Sequence, residues 1–267
     1  MKPSMDIPSG LLDNGNSHVF KNDFFDRFTL RKASRPLQLT DTISKDYLFP
    51  TYYGDVTCAI GIFLCSYAKA AALVEKELHP GIKPVKITRG RSLIAFSCYE
   101  YKNVMNVPPY NEIAMAIPVM VNAGFSPPVL PMIMKFSHFG YYIAAMPVTS
   151  YENQVRGNRI WGLPKVTQRI DIARDGGDCV TTAYEKSGEP YLTIRVPVSG
   201  TAVEFDETSN LYTRLQGRLL QSETNFKATF NVNKHMNLLF TKGVKSGRTY
   251  IEIGNTDSAK LLRDLEI

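Results

Sequence analysis

The hydrophobic and polar positions of this chain mostly follow the pattern of β-strands. Three runs combine apolar residues with strand-forming aromatic or β-branched residues and are bounded by Pro or Asn; they cover residues 91–101, 111–121 and 141–148. Further along, apolar and polar residues alternate across two turn sequences, Asp-Gly-Gly-Asp at 175–178 and Ser-Gly-Glu-Pro at 187–190. This alternation predicts a meander of antiparallel strands.

Two segments have a helical pattern instead. Residues 66–81 place alanines and leucines on one side and charges on the other and end in His-Pro-Gly, which predicts an amphipathic helix. Residues 257–267 predict a short terminal helix that begins at an aspartate cap. Residues 237–243 and 248–254 predict one more β-hairpin. Because the strands do not alternate with helices, the expected fold is mainly β with a few helices (α+β), arranged as a closed antiparallel β-barrel or a sandwich.

The composition is that of an ordinary globular protein, and it narrows the possible partners. The 267 residues, 44% hydrophobic and 21% charged, are enough for one large domain or two small ones. The net charge is +6, but the densest basic stretch, residues 83–91, holds only four Lys and Arg, so nucleic-acid binding is not expected. No apolar run approaches the ~18 residues of a membrane span, and the N-terminus has no signal-peptide core. The chain is therefore expected to be soluble and cytoplasmic, without a membrane partner.

The cysteines and histidines show no metal-binding spacing. Cys58, Cys65, Cys98 and Cys179 form no CxxC pair and are expected to be reduced, mostly buried side chains. The four histidines are far apart in the sequence, without an HxH or HExxH arrangement, so no metal site is expected. GxGxxG, Walker and GxSxG motifs are absent as well, and the chain is expected to work without a cofactor.

One lysine, Lys165, stands in an apolar stretch with no acidic neighbour in the sequence. It follows Leu163 and Pro164 and precedes Val166. A lysine with the ordinary pKa of about 10.4 is neutral in only about one molecule in 2,500 at pH 7, and only the neutral amine attacks a carbonyl to form an imine. An apolar pocket lowers a lysine pKa because burial disfavours the charged form. If residues 158–171 are extended, Leu163 and Lys165 share one face; a strand-edge lysine with its amine in solvent is the ordinary alternative.

A second candidate is Glu112, which interrupts an otherwise apolar strand. Tyr110, two residues earlier, lies on the same face of that strand. A carboxylate held in such a place can position a substrate or transfer a proton. A solvent-exposed start of the strand is the ordinary alternative.

Together these residues resemble the acetoacetate decarboxylase family. Residues 157–165, GNRIWGLPK, are similar to that family's GREIWGFPKK element, and residues 109–119, PYNEIAMAIPV, to the strand that carries its active-site glutamate. The resemblance implies a domain over residues 45–267, preceded by an additional N-terminal arm over residues 1–44. It also implies a cone-like closed β-barrel and a large homo-oligomer. By this resemblance Lys165 forms a Schiff base with the substrate, and Glu112 is the carboxylate of the site.

The chain departs from the family's decarboxylases at four positions, one of which is Arg159 in place of the acidic residue of the GRE triplet. Val166 stands where they have a second lysine, which leaves desolvation to activate Lys165, and a valine suits an apolar pocket. Ser97 stands where a second acidic residue is expected, and Thr57 where an arginine is expected. These changes are compatible with imine chemistry and leave two reactions open: decarboxylation, or an aldolase-dehydratase reaction that uses the same lysine for carbon–carbon bond formation.

The sequence thus predicts a lyase of the decarboxylase type, acting on a small β-keto or α-keto acid through an imine or enamine of Lys165. The expected substrate-binding residues are Tyr110, Ser97, Leu163 and Arg159. Arg159 and Arg156 are candidates to pair with a substrate carboxylate in place of the missing arginine, and structural or intersubunit salt bridges are the alternative for both. A non-catalytic barrel that binds an apolar carbonyl ligand is a third interpretation.

Overall fold

The structure, a computed structural model, describes residues 17–122, 128–133, 136, 138–234 and 249–267. Within these ranges the chain forms sixteen strands, four α-helices and two 3-10 turns, Ser17–Phe20 and Phe25–Arg27. The strands, in chain order, are β1 (Arg31–Lys32), β2 (Leu37–Gln38), β3 (Ser44–Lys45), β4 (Leu48–Phe49), β5 (Tyr53–Ser66), β6 (Ile82–Pro84), β7 (Arg91–Val104), β8 (Tyr110–Val121), β9 (Phe139–Val148), β10 (Lys165–Thr167), β11 (Ile170–Asp175), β12 (Asp178–Tyr184), β13 (Pro190–Pro197), β14 (Thr201–Leu215), β15 (Arg218–Val232) and β16 (Tyr250–Ile253). The helices are α1 (Tyr67–Glu77), α2 (Leu130–Ile133), α3 (Tyr151–Trp161) and α4 (Lys260–Asp264). The prediction of a mainly β fold with a few helices is confirmed.

Eight strands form the main sheet, which stays open. Six of them follow the order β15–β14–β9–β8–β7–β5, while β10 pairs with β9 and β6 with β8. Within the described ranges the two outer strands, β5 and β15, do not pair with each other, and β14 joins β9 through two residue pairs only. The sheet is therefore an open half-barrel, and the predicted closed barrel is wrong. Local residue patterns predict strands, whereas closure depends on whether the two outer strands meet, which no local pattern encodes.

A second, four-stranded antiparallel sheet provides the other half of the core. Its order is β11–β12–β13–β16, and β11, β12 and β13 follow one another as the predicted meander. The largest apolar cluster joins both sheets with α1 and α4; it includes Phe96, Ile113, Leu192, Val74 and Leu262. Each such side chain contributes about 1.5–3 kcal/mol through its burial. This cluster occupies one face of the main sheet.

The opposite face of the main sheet carries the candidate chemistry. Because side chains alternate along a strand, β7 and β8 direct Phe96 and Ile113 to the core and Tyr99 and Glu112 to the other face. Tyr99 and Glu112 are direct cross-strand partners. The residues around Glu112 therefore come from several strands of one sheet face.

The predicted helices are present, with different lengths. Helix α1 lies within the predicted 66–81, and α4 is a shorter helix within 257–267. Strand β16 falls within 248–254, while residues 237–243 of the predicted hairpin lie outside the described residues. None of the helices in the described part of the chain has the length and apolar character needed to span a bilayer.

Helix α3 corrects the expectation that residues 158–171 are extended. The Ser150 hydroxyl caps its first turn by accepting a hydrogen bond of 3.2 Å from the backbone N–H of Asn153. Gly162 ends the helix with φ 62°, a left-handed conformation that glycine adopts without strain. Residues 158–161 are therefore helical, and the chain becomes a strand again only at Lys165.

Candidate active site

Two strands that flank β9 bring Lys165 and Glu112 into contact. β8 pairs with β9 antiparallel and places Glu112 opposite Val148, whereas β10 pairs with β9 in parallel and places Lys165 opposite Met146. Lys165 Nζ donates to Glu112 Oε2 at 2.5 Å. The two side chains are only 6% and 5% exposed. The predicted lysine and carboxylate are thus a buried pair.

The turn from α3 into β10 fixes the position of Lys165. The Leu163 N–H donates to the Gly157 carbonyl at 3.0 Å, and the Lys165 N–H donates to Asn158 Oδ1 at 3.1 Å. Gly157 lies directly beneath the lysine side chain, since a Cβ atom there would come within 2.8 Å of Lys165 Cε. The missing side chain at Gly157 is the space that the lysine occupies on its way to Glu112.

Tyrosine rings surround the pair. Lys165 Nζ lies 5.7 Å from the centre of the Tyr110 ring, and the Tyr101 hydroxyl donates to Glu112 Oε1 at 3.4 Å. Tyr101 packs against Tyr110 at 4.8 Å, against Tyr99 at 5.0 Å and against Tyr53 at 4.7 Å between ring centres. These contacts give the pair an environment of large rings with few polar atoms.

Burial keeps the tyrosine hydroxyls of the site protonated. It raises the pKa values of Tyr101 and Tyr110 well above the ordinary value of 10.0, and the charge of Glu112 raises both further. The nearby Tyr53 hydroxyl adds to the rise in the pKa of Tyr110, whose own hydroxyl forms no well-aligned hydrogen bond. At neutral pH these hydroxyls can donate hydrogen bonds, and they do not serve as bases.

The buried pair can exchange a proton without changing its net charge. Moving one proton from Lys165 Nζ to Glu112 Oε2 converts an ion pair into a neutral amine and a neutral carboxylic acid. In a poorly solvated place both forms avoid leaving a single charge uncompensated. The arrangement therefore combines a nucleophile with a proton acceptor at hydrogen-bond distance.

The structure brings some of the other predicted residues to this pair. Tyr110 lies beside it, as described above. Leu163 packs against an apolar cluster on the same sheet face, formed by Ala114, Ala116, Ile143 and Met146. Ser97 is half-buried on that face, where it pairs with Ala114 instead of Glu112.

Two predictions about side chains near Lys165 need correction. Arg159 is exposed and donates to the carbonyl of Gln38 at 2.7 Å, because it lies on the outer side of α3; the structure does not bring it to the pair. Val166 is 51% exposed, since it follows Lys165 in a strand and points to the opposite side. A valine at this position therefore does not line an apolar pocket around the lysine.

Tyr101 was not among the predicted residues, and Arg156 was predicted only as an alternative beside Arg159. Arg156 is 1% exposed and donates to Asn153 Oδ1 at 3.1 Å and to Thr51 Oγ1 at 2.8 Å. The spacing of three residues between Arg156 and Arg159 gave no sign of which one faces inward, because the helix itself was not predicted. For Tyr101 a signal existed: Tyr99 and Tyr101 alternate along β7 and therefore share the face of Glu112.

A shallow, open depression lies next to the pair. Its volume is about 400 Å³, and its lining is formed by Glu100, Tyr101, Lys102, Pro109, Tyr110, Asn111 and Thr149. Tyr101 and Tyr110 belong both to this depression and to the surroundings of Lys165 and Glu112. Within the described ranges, no three His, Cys, Asp or Glu side chains converge in the way that a metal ion requires.

The fold and the site define a class: an α+β protein whose half-barrel sheet presents a buried lysine–carboxylate pair. A family model for acetoacetate decarboxylase matches residues 34–261. The chain belongs to the acetoacetate decarboxylase family, as the motif around Lys165 indicated.

One solved structure shares the fold of this chain, and two others match it at a lower TM-score. An acetoacetate decarboxylase structure is 16% identical, with a TM-score of 0.53 over 82% of this chain and 80% of that chain. An acetoacetate decarboxylase from Legionella pneumophila is 13% identical, with a TM-score of 0.48 over 77% and 75%. The enduracididine biosynthesis enzyme MppR, complexed with the condensation product of pyruvate and imidazole 4-carboxaldehyde, is 12% identical, with a TM-score of 0.41 over 68% and 77%. No curated protein sequence matched the chain.

Proposed function

We propose that the protein is a Schiff-base enzyme in which Lys165 condenses with the carbonyl group of a small β-keto or α-keto acid, and that it acts as a carbon–carbon lyase of the decarboxylase type. The observation that carries the proposal is the 2.5 Å contact between Lys165 Nζ and Glu112 Oε2, in a place where both side chains are almost fully buried. Membership of the acetoacetate decarboxylase family supports it. The homo-oligomer expected from the resemblance belongs to the same proposal and can be measured by light scattering.

Imine formation follows from the pair. Glu112 accepts a proton from the Lys165 ammonium, and the neutral amine attacks the substrate carbonyl carbon. The new C–N bond forms as the carbonyl electrons move to oxygen, and a proton passes from the attacking nitrogen to that oxygen to give a carbinolamine. The proton held by Glu112 then assists the loss of water, and a protonated imine remains.

The protonated imine accepts the electrons of the bond that breaks. With a β-keto acid, the bond to the carboxylate carbon breaks, CO2 leaves, and the bond's electron pair moves towards nitrogen to form an enamine. A proton from solvent then adds to the enamine carbon and restores a protonated imine. Addition of one water molecule releases the ketone and returns Lys165 as the ammonium ion that pairs with Glu112. Tyr101 and Tyr110 would remain neutral throughout, because their pKa values are raised.

An aldolase-dehydratase reaction is the second candidate. It is favoured by Ser97, which presents a hydroxyl on the site's face of β7 where the decarboxylases are expected to have a second acid. In this reaction the enamine carbon attacks the carbonyl of a second substrate, forms a carbon–carbon bond and then loses water. Both reactions begin with the same imine at Lys165, and the nature of the trapped ketone separates them.

Borohydride reduction tests the proposal, because it converts an imine into a stable amine. Intact mass is measured after treatment with borohydride and acetoacetate, and separately with pyruvate. The expected result is one reduced adduct per chain in the wild type and none in Lys165→Ala. Best trapping by acetoacetate would favour the decarboxylase, and best trapping by pyruvate the aldolase-dehydratase. If neither ketone gives an adduct, the proposal is overturned in favour of a half-barrel protein that only binds a ligand.

Lys45 offers a matched control for this experiment. Like Lys165, it is a buried lysine paired with a buried glutamate. Lys45 Nζ lies 2.9 Å from Glu152 Oε1, and the Lys45 side chain is 5% exposed. The variant Lys45→Ala should keep the adduct. If labelling persists in Lys165→Ala and disappears in Lys45→Ala, the nucleophile has been assigned to the wrong lysine.

A further inference from the structure

The buried charges of the described residues do not balance. Five charged side chains are buried, three cations and two anions: Lys45, Arg156, Lys165, Glu112 and Glu152. Lys165 pairs with Glu112 and Lys45 pairs with Glu152. One positive charge is left over, and it belongs to Arg156, which forms no ion pair with any described residue. A buried charge without a countercharge is costly.

All the partners of Arg156 are neutral. Its two terminal nitrogens donate to Asn153 and Thr51, and its guanidinium carbon lies 4.6 Å from the ring centre of Tyr47 and 5.6 Å from that of Trp161. Its Nε is buried and has no hydrogen-bond partner. Burial raises the pKa of Tyr47, so its hydroxyl stays neutral and supplies no negative charge.

Arg156 is next to the lysine site. It precedes Gly157, the residue over which the Lys165 side chain passes. Tyr110 connects the two cations: Lys165 Nζ lies 5.7 Å from its ring centre, and the positive charge of Arg156 acts on its hydroxyl, partly offsetting the burial that raises its pKa. Tyr47 and Tyr110 belong to one apolar cluster. The guanidinium and the lysine amine therefore lie around the same group of tyrosines.

We infer that Arg156 binds the carboxylate of the oxo acid whose carbonyl reacts with Lys165. The inference rests on the proposed function and adds the group that selects an acid over a neutral ketone. A guanidinium is suited to this task because its N–H groups match the two oxygens of a carboxylate, and Nε–H is available for one of them. A bound acid would also supply the countercharge that the buried residues lack.

The test compares each acid with its neutral methyl ester. Borohydride trapping is titrated with acetoacetate, pyruvate and their methyl esters, and the concentration for half-maximal labelling is recorded. In Arg156→Met this concentration should rise about 30-fold or more for the acids and less than about threefold for the esters. An equal change for acids and esters would overturn the inference while leaving the imine chemistry intact.

Two further variants distinguish a specific loss of carboxylate binding from a general folding defect. Arg156→Lys keeps the positive charge but loses the planar fork, and should fall between the wild type and Arg156→Met in its preference for acids. Arg159→Met removes an exposed arginine from the other side of α3 and should leave the preference unchanged. An acid preference that stays at the wild-type value in Arg156→Lys and Arg156→Met alike would overturn the inference.

Butyrate, a carboxylate without a ketone, separates this inference from the proposed function. Its binding is measured by calorimetry in the wild type, in Lys165→Ala and in Arg156→Met. Binding that survives in Lys165→Ala and is lost in Arg156→Met supports the anion site even if borohydride traps nothing. Binding of equal strength in all three proteins, or in none of them, would overturn the anion site whatever the outcome at Lys165.

Discussion

Lys165 and Glu112 meet at 2.5 Å although 53 residues separate them in the sequence, and neither side chain is more than 6% exposed. The free energy of such a pair depends on both members. Removing one leaves the other buried without its countercharge, whereas removing both leaves an apolar interior. Stability measurements can therefore show whether the pair acts as one unit.

We expect Glu112→Leu to lower the free energy of unfolding by about 3–5 kcal/mol, because it leaves the Lys165 amine buried alone. The double variant Glu112→Leu/Lys165→Met should recover this loss and can exceed the wild type in stability by about 1–4 kcal/mol. Urea denaturation of the wild type, both single variants and the double variant measures the coupling. If the losses of the single variants simply add, the two residues do not form an interacting buried pair.

Gly157→Ala should lower both adduct formation and stability, because it disturbs the path of the Lys165 side chain. The new methyl group would meet the aliphatic part of the Lys165 side chain, which then has to leave its path to Glu112. Alanine favours the helix by about 1 kcal/mol over glycine, but a lysine displaced from Glu112 leaves a buried carboxylate without its countercharge at a cost of about 3–5 kcal/mol. The free energy of unfolding should therefore fall by about 2–4 kcal/mol. Borohydride adduct formation should fall at least about tenfold, and a variant that labels at the wild-type rate would contradict the described packing.

The tyrosines around the site should make stability depend on alkaline pH. The folded pKa values of Tyr101 and Tyr110 are raised above the ordinary 10.0, so their contribution is complete below pH 10 and is lost as the pH rises beyond that value towards the folded pKa. Each such tyrosine lowers the free energy of unfolding by about 1.4 kcal/mol per pH unit in that window. Tyr101→Phe should reduce the slope by this amount in urea denaturation at a series of pH values. An unchanged slope would show that Tyr101 ionises normally in the folded protein.

Two cysteines should resist thiol reagents. Burial raises the pKa of Cys65 to about 11 and that of Cys98 to about 12. Because the thiolate is the reactive form, both should react with a disulfide reagent at pH 8 at least about 100-fold more slowly in the folded protein than in urea. Mass spectrometry after timed labelling identifies the modified residues. Rapid labelling of Cys98 in the folded protein would argue against its burial behind the second sheet.

Local patterns predicted β7, β8, β9, the meander and α1, because the decisive information lies within each of these segments; the long strands β5, β14 and β15 were not predicted. The meander around residues 175–178 and 187–190 is an example, since turn residues and alternation specify it together. Helix α3 was missed although Ser150 and Gly162 mark its ends, because the apolar residues near Lys165 suggested an extended chain. A helix there turns Arg156 inward and Arg159 outward, and this difference decided which arginine lies beside the site.

The candidate site also combines contacts within one segment of the sequence with contacts between residues far apart in the sequence. The short motif that ends in Lys165 was recognisable because its nine residues are contiguous in the sequence and resemble the family's element. By contrast, Arg156 reaches Thr51, and Tyr47 reaches Glu152, across 105 residues each. Contacts of this kind depend on the assembled fold, and no pattern within a single segment predicts them.

The turn from α3 into β10 also limits how this part of the chain can vary. Gly157 and Leu163 are joined through their backbones, Asn158 holds the Lys165 backbone, and the Lys165 side chain returns over Gly157. These contacts connect the two ends of the nine-residue segment and so fix its geometry. Substitutions at exposed positions of the segment preserve these contacts, whereas an inserted or deleted residue would rotate the Lys165 amine away from Glu112. The residue types at the exposed positions can therefore vary, but the number of residues between Gly157 and Lys165 cannot change without loss of the pair.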